Sequence, residues 1–125
     1  MSEFLPEGKL INNRENLACL SSIRSLREAI YTQKILEAPA VVCDSYHNLT
    51  VELGSFRGII PREEGAVGIR DGSVRDIAVI SRVNRPVCFV VTDIKTDQSG
   101  REYAVLSREK AQRLCLENYI SRQYR

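Results

Sequence analysis

The sequence predicts a mainly β protein: a five-stranded barrel over residues 35–107, with a helical N-terminal extension over 1–34 and a C-terminal helix over 108–125. Three observations predict it. Apolar residues recur at steps of three and four up to Lys34, and at steps of two from Ile35 onward. Short β-branched runs then alternate with turn signals at Gly54-Ser55, Asp71-Gly72 and Asp97 to Gly100. A helical pattern returns at Arg108, directly after a serine able to cap it. Five short strands remove their unpaired edges by closing on one another, which favours a barrel over an open sheet.

The N-terminal extension is read from Leu17, Leu20, Ile23, Leu26 and Ile30, which share a helical stripe, with Asn12 and Asn13 as candidate N-caps. Ser21-Ser22 interrupts the stripe and can cap a second short helix, so one helix or two remains open. The first strand runs from Ile35 to Ser45 around Ala40-Val41-Val42-Cys43. The second, Leu49 to Leu53, alternates apolar and polar residues, as a half-buried strand does. Gly54-Ser55 then links it to a third, Phe56 to Ile60, through a connection short enough to require an antiparallel hairpin. Residues 65–84 form an inserted hairpin or loop. There Asp71-Gly72 is a two-residue turn signal, and Val67 and Ile69 can pair with Val74 and Ile77 to Ile80. Val87 to Val91 is apolar at every position and reads as a strand buried on both faces. Tyr103 to Leu106 is the last strand. Ala111, Leu114 and Cys115, continued by Asn118 and Tyr119, give the C-terminal helix its apolar face.

Composition narrows the function classes. The 125 residues carry 18 Lys and Arg against 16 Asp and Glu, with 43% hydrophobic residues, which fits one globular domain and excludes a disordered or low-complexity chain. The longest apolar run, Val87 to Val91, is far short of the ~20 residues a membrane helix needs, so no membrane partner is expected. The opening MSEFLPEGKL has no basic stretch leading into an apolar one, which predicts a cytoplasmic protein. Cys19, Cys43, Cys88 and Cys115 are widely spaced with no CxxC pair, against a zinc site; Cys43 and Cys88 read as small buried hydrophobes.

Catalytic constellations are missing. No phosphate-binding GxxxxGK[ST], no GxGxxG and no GxSxG is present, and the single histidine, His47, would have to serve any nucleophile pair alone. Glu63-Glu64 cannot converge on one bond in an extended segment, and Asp44, His47 and Glu52 are a poor ligand set. The sequence therefore predicts no enzyme, no metal and no cofactor. The basic residues are more telling, because 14 of the 18 are arginine. A guanidinium grips phosphate with two donors and stacks on bases, which an ammonium cannot do. Arg57 and Arg62 flank the third strand, Arg82 and Arg85 precede the fourth, and Arg101 and Arg108 flank the fifth.

The segment NLTVELGSFRGIIPREE, Asn48 to Glu64, resembles the second and third strands of the S1-type RNA-binding domain. Val87 to Ile94 is similar to that family's fourth strand, and Val105-Leu106-Ser107-Arg108 to its closing Leu-Ser motif, with Glu109-Lys110-Ala111 continuing as in repeats of ribosomal protein S1. The resemblance spans about residues 35–110. With its helical start and its insert, the chain looks like short S1-domain proteins of Firmicutes-like bacteria.

This resemblance implies an OB-fold barrel that binds single-stranded RNA through its second and third strands, in translation or RNA turnover. It places Thr50 where the family has a stacking aromatic, His47 on the preceding aromatic, Asn48 on the glycine between them, and Pro61 where a histidine often ends the third strand. Tyr46, His47 and Thr50 would face bases, and Arg57, Arg62 and Arg108 would hold phosphates. Phe56 and Tyr103 are divided between packing and contact. The alternative is a protein-interaction OB module, ribosome- or protein-associated, that has lost its stacking platform. Leu17 and Leu20 also offer a route to self-association, and the oligomeric state stays open.

Overall fold

The computed structural model describes residues 7–123, with side chains described as far as Leu116. Expectations that fall on residues 1–6, or on the side chains of Asn118 and Tyr119, lie outside the described residues.

Two helices precede the barrel. Asn13 caps α1 (Arg14–Cys19), its Oδ1 accepting the N–H groups of Glu15 and Asn16. Ser22 caps α2 (Ile23–Thr32) by accepting from the N–H of Ser25. Leu20, Leu26 and Ala29 enter the core, and Ile23 and Ile30 pack at its edge. Leu17 is exposed instead. The break at Ser21-Ser22 resets the helical phase, so Leu17 no longer shares a stripe with Leu26.

The barrel consists of β1 (Leu36–Cys43), β2 (Leu49–Glu52), β3 (Arg57–Ile60), β4 (Pro86–Thr96) and β5 (Glu102–Ser107). It closes in the order β1-β2-β3-β5-β4; β3 and β5 run parallel and the other neighbours antiparallel. This is a mainly β, OB-like barrel with helices at both ends. β1 serves two neighbours, pairing with β4 over 36–39 and with β2 over 40–43. The exchange falls after Pro39, which faces Pro86, and Ala40 still bonds the Arg85 carbonyl and the Asn84 N–H just before β4. A second irregularity in β4, between Val91 and Asp93, supplies the bend that closure requires.

β4 shows why a strand can be apolar throughout. Val87, Phe89 and Val91 belong to the barrel core, whereas Cys88 and Val90 pack with Ala111 and Leu114 of α4 (Arg108–Gln123). Ser107 Oγ accepts the N–H of Lys110 and caps that helix. Cys88 is buried as expected, and burial pushes its thiol up. Cys43, at the barrel rim, is only half-buried. Inside the barrel, a Cβ on Gly58 would lie 2.5 Å from Leu106 Cδ1, so any side chain at that register would force the Leu106 packing to shift.

The insert forms no ribbon. Between β3 and β4 lie a 3-10 turn (Arg62–Glu64), a series of further turns and the short α3 (Ile77–Ile80). Gly72 adopts the left-handed conformation expected of a turn glycine. Val74 nevertheless bonds back to the Gly68 carbonyl, and Ala66, Ile69 and Val79 join the barrel core. Burial of these three outweighs the cross-strand pairing that alternation suggested. Among the described residues no helix is long and apolar enough to cross a membrane.

Candidate nucleic-acid interface

Register aligns Val42, Thr50, Ile59 and Val105 across β1, β2, β3 and β5. They alternate with core residues and form an outward row of half-buried and exposed side chains. The next row holds Glu52 opposite Arg57. The Arg57 guanidinium lies 5.4 Å from the centroid of the Tyr103 ring, a cation–π pair, and meets Asp97 at 3.5 Å. Its side chain stays 50% exposed. A groove of about 300 Å³ opens beside it, lined by Thr50, Glu52, Phe56, Arg57, Asp97 and Arg101, among others. Arg101 makes no ion pair among the described residues.

The β4–β5 turn that borders this groove is built by Asp97. Its Oδ1 accepts from the N–H groups of Ser99 and Arg101 and from the Ser99 hydroxyl. The Ser99 hydroxyl, then the Arg101 N–H, hold the Asp97 carboxyl below the usual range, with Arg57 contributing last.

At the other end of the face, residues 44–48 connect β1 to β2. Asp44 Oδ1 accepts from the N–H groups of Tyr46 and Asn48 at 2.9 Å each, and the Asn48 amide donates to Asp44 Oδ2. His47 sits at φ +67°, and its N–H bonds to the Asp44 carbonyl. Five residues are thus locked by their own hydrogen bonds, and Tyr46 projects 78% exposed from the loop.

His47 and Arg62 converge on Asp76 in the insert. Arg62 grips that carboxylate with Nε at 2.6 Å and Nη2 at 2.7 Å, and His47 Nδ1 bonds Oδ2. The Arg62 bonds first, then the His47 bond, hold the Asp76 carboxyl down to about 2. An ionised carboxylate only accepts, so His47 carries its proton on Nδ1. Asp44, His47 and Glu52 do not converge, and no three His, Cys, Asp or Glu side chains among the described residues gather as metal ligands.

Arg108 departs most from expectation. Its side chain is 8% exposed; Nε and Nη2 donate to Glu7 at 2.9 and 2.7 Å, and Nη1 to the Gly65 carbonyl at 3.0 Å. Arg82 also turns inward, to Glu7 and the Pro86 carbonyl. Arg108 therefore cannot hold a phosphate, because its donors are spent inside the protein. The structure brings Tyr46, His47 and Arg62 to one end of the face and Arg57 to the other, with Thr50 between them, and leaves Arg108 outside. Nothing in the local pattern points to Asp76 or Glu7, because His47 lies 29 residues from Asp76 and Arg108 lies 101 from Glu7. Arg57 over Tyr103 was equally hidden, since only the parallel β3–β5 pairing brings them together.

The class defined here is an OB-like barrel whose outward β2–β3–β5 face carries mixed aromatic, aliphatic and charged side chains. No protein-family model matches the chain, and no curated protein matches it either. The S1 likeness therefore rests on the residues quoted for it.

Proposed function

We propose that this protein binds single-stranded RNA, weakly and with little sequence preference, across the outward face of β2, β3 and β5, as a cytoplasmic S1-type domain in translation or RNA turnover. The observation that carries the reading is Arg57 laid over Tyr103 beside Arg101 and an open groove. A guanidinium stacked on a ring offers one side chain to a phosphate and a second to a base, the pairing on which single-strand binders rely. Weakness follows from the carboxylates of Glu52, Asp93, Asp97 and Glu102 around the same face.

Titration of a fluorescent oligo-U and a mixed-sequence RNA tests it. Binding at low salt that falls steeply as salt rises, and that weakens in Arg57→Ala, supports the proposal. No binding at low salt, or binding indifferent to Arg57→Ala, removes it. Those same carboxylates and the aliphatic row Val42, Ile59 and Val105 favour a second reading, a ribosome- or protein-associated interaction module. A partner retained through nuclease and high salt would select that reading instead.

A further inference from the structure

The N-terminal helices meet the barrel groove at two points. Arg27 Nη2 of α2 donates to Glu102 Oε2 at 2.9 Å, and Glu102 lines that groove. Just before α2, Ser21 shares a cleft with Gly54 and Ser55 of the β2–β3 turn, which line the groove as well. Arg24 lies between these two anchors; it is exposed and makes no ion pair among the described residues. Helical steps of three and four put residues 24, 27 and 31 on one face, and there Tyr31 is 87% exposed. Leu26 and Ala29 enter the core from the opposite side, while Glu28 lines the cleft toward α1 with Glu15 and Ala18.

We infer that α2 carries a second RNA contact outside the barrel: a strand leaving the groove lays a phosphate on Arg24 and, past the Arg27–Glu102 pair, an unstacked base on the Tyr31 ring. This deepens the RNA reading and rests on it, but its residues belong to the helical extension. An unpaired cation in line with an exposed ring is the combination single-stranded nucleic acid requires. From Arg24 to Tyr31 the helix rises roughly 10 Å, about three stacked nucleotides at ~3.4 Å each. Charge permits the crossing. Arg27 neutralises Glu102 where the strand would pass, and Glu28 stands at the margin of the face, on the side toward α1. The helix is also fixed before RNA arrives, by the Ser22 cap, by Leu26 and Ala29 in the core and by Arg27 on β5, so little ordering remains to oppose binding.

The chain has no tryptophan, so Tyr31→Trp places a single indole at the contact. Fluorescence of that variant, titrated at low salt with oligo-U of roughly twelve nucleotides, tests the inference; the length follows from single-domain site sizes. Stacking on a base should quench the indole. Tyr31→Ala should weaken binding roughly 5–150-fold, the range for one base platform. Arg24→Ala should flatten the log–log salt dependence by about 0.7, the share of one phosphate contact on a single strand. Both alanine variants should keep the wild-type urea midpoint, because neither side chain is buried. If the indole does not respond and both variants bind as wild type does, while Arg57→Ala weakens binding, the helical contact is overturned and the barrel-face reading survives. If no RNA binds at low salt, both fall.

Discussion

Arg57 and Arg108 occupy comparable places in the chain, one beginning β3 and the other following β5, yet the molecule uses them in opposite ways. Arg57 lies on a ring at the surface, with its single carboxylate partner at 3.5 Å. Arg108 is enclosed, and every hydrogen bond it makes ends on Glu7 or Gly65. A strand-end arginine stays available to a ligand only where the fold leaves it without a buried acceptor. Glu7 decides the matter for Arg108. It also accepts the N–H of Cys88 and faces Arg82, so one carboxylate ties the N-terminal segment to β4, the insert and α4.

Breaking the buried side of the comparison should have the largest effect. Glu7→Gln leaves the Arg108 charge enclosed without a counterion, and urea unfolding should show a loss of about 3–5 kcal/mol. Arg108→Met should cost less, because Glu7 keeps Arg82 and the Cys88 N–H, and the double variant should lose less than the sum of the two single losses because the Glu7–Arg108 pair is removed only once. A loss below ~1 kcal/mol for Glu7→Gln, the range of exposed pairs, would mean that this junction is open to water.

Acid should act on the same junction. Burial raises the Glu7 carboxyl, but bonds from Arg108 and from the Cys88 N–H, with the charges of Arg108 and Arg82, outweigh it and hold Glu7 below its ordinary value of 4.5. A depressed carboxyl adds stability that is complete above that ordinary value and disappears as pH falls through the folded one. The urea midpoint should therefore drop on acidification below about 4.5, and Glu7→Gln should flatten the profile there. An unchanged profile in the variant would assign the acid loss elsewhere, with Asp76 contributing only between 3.8 and about 2.

The strands and caps were legible because each depends on neighbours in sequence, although β4 runs on to Thr96, five residues past the apolar run that announced it. Asn13, Ser22 and Ser107 cap helices through N–H groups two or three residues on. Val87 to Val91 announces its two buried faces in its own composition. What sequence reading lost depends on closure. The Asp71-Gly72 signal is local and true as a turn, but core burial of Ala66, Ile69 and Val79 overrides the ribbon it suggested. Arg108 failed as a site residue for the same reason, since its counterion is the described residue most distant from it among its partners.

On the exposed side the expected effects are smaller and fall on binding. Arg57→Ala should leave stability within about 1 kcal/mol, as exposed pairs do, because the Asp97 turn keeps its own hydrogen bonds. RNA affinity should fall roughly tenfold, the worth of one charge-assisted contact of ~1.5 kcal/mol. Anisotropy titration beside urea unfolding separates the two. A variant that loses several kcal/mol would place Arg57 in the same class as Arg108 and dissolve the comparison.

The smallest effect should come from Asp76→Ala, which lies between the two cases: its partners Arg62 and His47 are half-exposed and yet engaged. Removing the carboxylate frees the His47 Nδ1–H and both Arg62 donors to water, so global stability should fall by less than in Glu7→Gln. The Asp44 hydrogen bonds remain and keep the turn of residues 44–48 closed upon itself. Only the fastening of that turn to the insert is lost. Amide exchange should therefore quicken at Ala78 and Val79 and at His47, while Leu49 and Val51 in β2 keep wild-type protection. Unchanged exchange at His47 would show that Asp44 alone holds the loop. Quickened exchange into β2 would make the Asp76 contact a structural one, nearer to Arg108 than to Arg57.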